Sequence, residues 1–288
     1  MQRIVFLVIS LLLSTAPLLA SQSVILDTDG YACMGDDKSR KQTEDVAFKD
    51  AKRKASESAV THIQAETHLK DAMLEKDILS AYTNSQVKVI SEFLKEWYKE
   101  GSLGDCYRVK LKVEVIPDEQ SMKKVAKKKT DELLDDPAAP LSVKVWSDKP
   151  KYAQGEKIRV FVKGNRPFYG RVVYKDASGG LIQILPNPYR QSSYFNGGTV
   201  YEIPSGEDKF DLEVAPPFGV ERITLYASTS PMGEVSLSAA GGVYSVKAKA
   251  DELASGTRGI KFVNKNSGNA PPVAEFSESS QEMTTSDK

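Results

Sequence analysis

The sequence predicts an α+β protein in which a helix lies on a small antiparallel sheet and an all-β sandwich follows. Three observations predict it. A helical stretch with alanine at every fourth position stands between strand-like segments in the first third of the chain. From residue 141 the texture changes to short alternating apolar runs separated by Gly, Pro and Asn turns. The length of 288 residues, with 40% hydrophobic and 27% charged residues, suits two ordinary globular domains.

The first twenty residues stand apart. Arg3 supplies a positive start, Ile4 to Leu13 is an almost unbroken apolar run, and Pro17 and Ala20 precede polar Ser21, Gln22 and Ser23. That order predicts a secretory signal peptide over 1–20, cut after Ala20. An uncleaved anchor is the alternative, but the run is shorter than the roughly 20 residues a spanning helix needs. No cysteine adjoins the cut, so a lipoprotein is not expected, and no later segment is long and apolar enough to cross a membrane. The expected location is the periplasm, in soluble form.

Residues 22–117 form the first predicted domain. Val24-Ile25-Leu26 through Ala32 reads as a strand, and Gly35-Asp36-Asp37 as a turn. A helical region over 43–79 begins with Thr43 as N-cap and with Glu44 and Asp45 favourably placed in its first turn. Ala47, Ala51, Ala55, Ala59 and Ile63 share one face, small enough for close approach to a sheet, while Lys49, Lys52, Arg53 and Glu57 make a solvated face. Residues 69–79 continue that helix after a kink or form a second one. Over 86–98 the apolar positions fit both a helix and a strand, with Val87, Val89, Phe93 and Trp97 on one face of the latter. The alternation Tyr107, Val109, Leu111, Val113, Val115 is a half-buried strand, so a hairpin 87–98/105–116 is the simpler account.

Residues 118–140 read as a charged linker that could include a short helix, with Lys123, Lys124 and Lys127 to Lys129 ahead of Asp131, Glu132, Asp135 and Asp136. The sandwich is expected over 141–263, with strands near 143–146, 158–162, 168–175, 180–185, 199–203, 209–214 and 222–228, and edge strands around Tyr244, Val246, Ile260 and Phe262. Residues 264–288, rich in Ser, Asn, Glu and Thr, are expected to be a disordered tail.

The residue inventory offers little chemistry. Lys+Arg and Asp+Glu balance at 39 each, which argues against a nucleic-acid binder. His62 and His68, six apart on a helix, would sit about 240° apart and not share a face, so no metal site is expected. No nucleophile elbow, phosphate loop or His-Glu-x-x-His occurs. Neither catalytic residues nor a cofactor are expected. Cys33 and Cys106, both at strand edges of one domain, are read as a disulfide in an oxidising compartment, with two buried thiols as the alternative. Tyr189, Arg190, Tyr194 and Phe195 cluster after the Leu185-Pro186-Asn187-Pro188 turn and form a candidate partner-binding loop; the alternative is that they cover one end of the sandwich.

Two resemblances emerge from these segments. Gly30-Tyr31-Ala32, the alanine-laddered helix, Tyr107-Arg108-Val109 and Val113-Glu114-Val115 together resemble the N-terminal domain of the flagellar assembly protein T and a related family of small envelope lipoproteins. That resemblance implies a helix against a small antiparallel sheet, hence a strand at 87–98. Val143-Lys144-Val145-Trp146, Tyr152, Gly155-Glu156, Tyr169, Val172-Val173-Tyr174, Leu185-Pro186-Asn187, Tyr201-Glu202-Ile203-Pro204 and Pro217-Phe218-Gly219-Val220-Glu221 resemble the domain of unknown function 4384. It implies a fold in an envelope or surface setting and no activity. The expectation is a non-catalytic exported scaffold or adaptor whose partners are envelope proteins, possible members of a flagellar or secretion assembly, with a glycan- or peptidoglycan-binding module as the alternative.

Overall fold

A computed structural model describes residues 21–233, 235, 237–240, 243–246, 257, 258 and 273–288; the segment 1–20, expected to be a signal peptide, and Ile260 and Phe262, expected in an edge strand, lie outside them. The fold is α+β, as expected. β1 (Ser21–Cys33) leads into α1 (Arg40–Glu66) and α2 (Ala72–Thr83), then β2 (Gln86–Lys99), a short 3-10 turn and β3 (Asp105–Ile116). α3 (Glu119–Asp135) follows. The β-rich part then runs through β4 (Val143–Ser147), β5 (Lys151–Ala153), β6 (Val160–Gly164), β7 (Phe168–Lys175), β8 (Leu181–Leu185), β9 (Tyr194–Phe195), β10 (Tyr201–Ile203), β11 (Val220–Ser228), β12 (Leu237–Ala240), β13 (Val243–Val246) and β14 (Ala274–Ser286).

α1 is placed by its small residues. Ala47, Ala51, Ala55, Ala59 and Ile63 are all fully buried, and Gly30 of β1 lies so close beneath them that a Cβ there would come within 2.2 Å of the Ala47 carbonyl oxygen. The helix begins earlier than expected. Ser39, not Thr43, is the N-cap, closed by a capping box with Gln42, while Thr43 is buried inside the helix. α2 is a separate helix capped by Asp71. β2 is a strand, but its pairing with β3 shifts at Val89/Ser91 and at Glu92/Leu94. These two bulges carry Phe93 out of the face it was expected to share, leaving it 55% exposed, whereas Val87, Val89 and Trp97 still pack against the helical core.

The stretch expected to be a linker is a 17-residue helix. Asp118 caps it by accepting from Ser121 N, and Val125, Leu133 and Leu134 are buried. Its charge balance hid these few apolar positions.

The larger correction concerns the tail. Residues 274–286 are β14, paired antiparallel with β1 on one side, from Ser21↔Glu278 to Ile25↔Ala274, and with β11 on the other, from Val220↔Thr284 to Ser228↔Phe276. One sheet therefore runs β12-β13-β8-β7-β11-β14-β1-β3-β2, with β5 added to β14 and β9 to β7, and a second sheet, β10-β6-β4, is separate. Polar composition misled because a strand paired on both edges gains main-chain hydrogen bonds, and its small hydroxyl side chains fit a crowded interior. Ser277, Ser279 and Thr285 are buried.

β14 also organises the faces. Its odd residues look to one side, where Glu275 meets α1, Ser279 accepts from Val145 N of β4 at 3.2 Å, and Met283 enters the core beneath the three-stranded sheet. Ala274 and Phe276 look to the other side, into a third apolar cluster with Ile25, Val173, Tyr226 and Val246. The expected strand at 209–214 reduces to one bridge, Lys157↔Glu213.

Candidate functional site

Cys33 and Cys106 are joined in a disulfide, 73 residues apart in sequence. They stand directly opposite each other in the β1–β3 register, with Cα atoms 3.9 Å apart. Glu100 completes the one grouping among the described residues close enough to hold a metal ion. Both sulfurs of that grouping are consumed by the disulfide, so it offers no thiolate.

The four residues of the expected binding loop divide into two kinds. Tyr189 and Tyr194 are 53% and 49% exposed. Tyr189 stacks on Phe210 at 6.2 Å, and Tyr194 meets Tyr169 edge-on at 5.3 Å. Phe195 is fully buried and stacks on Phe168 in the core, so it cannot meet a partner. Arg190 pairs with Asp208 at 3.1 Å and covers the Phe195 ring. The loop therefore both covers the sandwich end and presents two tyrosines. Its shape is fixed by the half-turn residue Asn187, whose Oδ1 accepts from Tyr189 N and Arg190 N at 2.8 Å and whose Nδ2 donates to the Ile184 carbonyl.

The most densely bonded charge centre was not singled out by its sequence. Glu275 of β14 is 3% exposed. Its Oε1 accepts from Arg166 Nη1 at 2.8 Å and lies 3.2 Å from His62 Nε2, and its Oε2 accepts from Leu141 N at 2.5 Å. Arg166 also donates to the carbonyls of Glu66 and Pro137. One carboxylate thus ties α1, the turn after α3, the β6–β7 turn and β14. Tyr82, fully buried nearby, has its phenol pushed well above the ordinary range by burial and by Glu275. His68 lies beyond the end of α1, and its backbone N–H bonds to the Ala138 carbonyl. The two histidines serve different local contacts. Only spatial proximity joins these residues, which are up to 213 apart in sequence, and no spacing rule could have found them.

Other charges, Glu114 and Arg171 buried and Arg258 and Glu278 partly buried, sit on the opposite face. Arg258 pairs with Glu114 at 2.7 Å and Glu278 at 3.3 Å and lies over the Phe276 ring at 4.8 Å. Burial lifts the Glu278 carboxyl above its ordinary value, with Arg258 opposing. Arg171 donates to Thr257 Oγ1 at 2.6 Å and to the Gly233 carbonyl at 2.8 Å, and burial draws its guanidinium down to about 10. A groove of about 490 Å³ is lined by Lys70, Glu132, Asp135, Asp136 and Pro137. Asp135 there is engaged by Lys163.

Residues 151–231 match the model of a family described as Domain of unknown function (DUF4384). Neither a search of curated proteins nor one of solved structures returned a match. Within the matched stretch, Tyr174 of β7 donates to Glu221 of β11, and burial followed by that bond raises the tyrosine well above its ordinary value. Tyr152 donates to Asp148 at 2.5 Å, and its phenol is pushed up to about 12, first by burial and then by this bond. Asn187 organises its own turn. The signature residues are thus spent on holding strands and turns together.

Proposed function

We propose that the chain is an exported, non-catalytic scaffold or adaptor of the bacterial cell envelope, with other envelope proteins as its partners. The observation that carries the reading is the Glu275 junction. Arg166, His62 and Glu275, side chains of the kind an active site would draw on, meet at one point; the Arg166–Glu275 pair also bonds the Glu66 and Pro137 carbonyls and the Leu141 N–H, all structural groups. Such a constellation rigidifies; it fixes the distance between surfaces on either half, which is what an adaptor needs. Export is supported by the apolar leader and by the cross-strand disulfide, which belongs to an oxidising compartment. With cleavage after Ala20, the mature chain would begin at Ser21, a residue already paired with Glu278. The N-terminal resemblance to the flagellar assembly protein favours a flagellar or secretion assembly as the setting.

The test is cross-linking of a tagged copy in living cells, with mass spectrometry of what is captured. Flagellar or secretion-ring components are expected. Capture of no envelope protein, or turnover in a broad hydrolase screen that one carboxylate substitution abolishes, would contradict the reading.

A further inference from the structure

The loop at 186–199 spends Asn187, Arg190 and Gln191 on internal bonds and leaves Tyr189 and Tyr194 outside. Asn187 and Arg190 are committed to internal bonds, the latter to Asp208, which in turn accepts from Ser205 N at 2.7 Å. Asn196 N donates to the Tyr201 hydroxyl at 3.0 Å. The tyrosine rings are therefore held in place before any ligand arrives, and a held ring loses little entropy on binding. Tyr189 is backed by Phe210 with 24° between ring planes, and Tyr194 by Tyr169.

The rim indicates the ligand. A protein-binding hot spot is surrounded by contacts that exclude water. Here Ser192, Asn196 and Thr199 are exposed and offer an amide and two hydroxyls, while the exposed Gln191 amide donates to the Asn187 carbonyl. The one charged residue in the loop, Arg190, is neutralised by Asp208. Flat aromatic faces among neutral hydrogen-bonding groups match the C–H faces and hydroxyls of an uncharged sugar ring.

We infer that Tyr189 and Tyr194 form a platform for neutral pyranose units of a polysaccharide. This goes beyond the adaptor reading and does not depend on it.

The experiment is co-sedimentation of the full mature chain with insoluble chitin and cellulose. Wild type is expected to be retained on at least one of them. Tyr189→Ala and Tyr194→Ala should each weaken retention at least fivefold, and Tyr189→Phe, which keeps the ring, should bind as wild type. Both tyrosines are surface residues, so an unchanged melting temperature will show that the alanine variants are folded. No retention of wild type overturns the inference, as does a folded double alanine variant retained like wild type. Loss of a cross-linked protein partner in the double variant, with polysaccharide retention unchanged, also overturns it, since the surface would then be a protein contact.

Discussion

Glu275 shows how one side chain can decide the behaviour of distant parts of the chain. Removing one member of a buried ion pair leaves the other without compensation, which costs about 3–5 kcal/mol. Glu275→Ala is therefore expected to lower unfolding free energy by about 3 kcal/mol in urea titration, whereas Glu275→Ala combined with Arg166→Met should recover part of that loss. Equal stability of the single variant and wild type would remove the junction from the account. Glu278 gives a pH dependence of opposite sense to an ordinary salt-bridged carboxylate. Its carboxyl is raised by burial in the fold, so its contribution is fully present below the unfolded carboxylate value and is lost as pH rises through the folded one. Glu278→Gln should thus gain melting temperature relative to wild type at pH 7, and the gain should disappear near pH 4. A larger gain at pH 4 than at pH 7 would reverse the sign. At Gly30 the reasoning is steric. The missing Cβ would sit 2.2 Å from the Ala47 carbonyl oxygen and 2.5 Å from Ala51 N, both backbone atoms that cannot yield without moving α1. Gly30→Ala should cost about 2 kcal/mol or more, read by denaturant midpoint.

At the level of elements, legibility followed periodicity. α1 and β3 were readable because a four-residue alanine ladder and a two-residue alternation each report a buried face. The cysteine pair was readable because both residues fell at strand edges. β2 was legible only as a strand, because bulges break the two-residue rule and Phe93 does not follow Val87 and Val89 inward. α3 was obscured by its lysines and carboxylates, which say nothing about the few apolar residues beneath them. β14 was hidden most completely. Ser277, Ser279 and Thr285 are buried by neighbours far away in sequence, and composition cannot register that. The same limit applied to the site. The exposed tyrosines were visible, yet the burial of Phe195 against Phe168 and the assembly of His62, Arg166 and Glu275 depend on the finished sheet. Hydrogen exchange tests the reassignment of the tail. Amides of 274–286 should be protected as strongly as those of β3, and exchange within seconds would restore a disordered tail. The disulfide belongs to this scale as well, since it closes a loop of 73 residues between adjacent strands. In the chain-entropy model its removal by Cys33→Ser with Cys106→Ser should cost up to about 4 kcal/mol, seen as a fall in denaturant midpoint, with a steeper slope because the unlinked unfolded chain exposes more surface.

Across the whole molecule, the α-helical half and the β-rich half share one eleven-stranded sheet, with β14 between β11 and β1. Glu275 meets His62 of α1 on one face, and Arg258 bridges Glu114 of β3 to Glu278 of β14 on the other. Neither half can lose its order without exposing strand edges and buried charges of the other. The adaptor reading relies on this rigidity, because surfaces held on one sheet keep a fixed geometry between partners. The most direct test is differential scanning calorimetry of the oxidised chain from Ser21 onward. A single transition with calorimetric and van't Hoff enthalpies in agreement is the predicted result. Two separated transitions, each with the heat of about half the chain, would show that the halves are independent and would contradict the account.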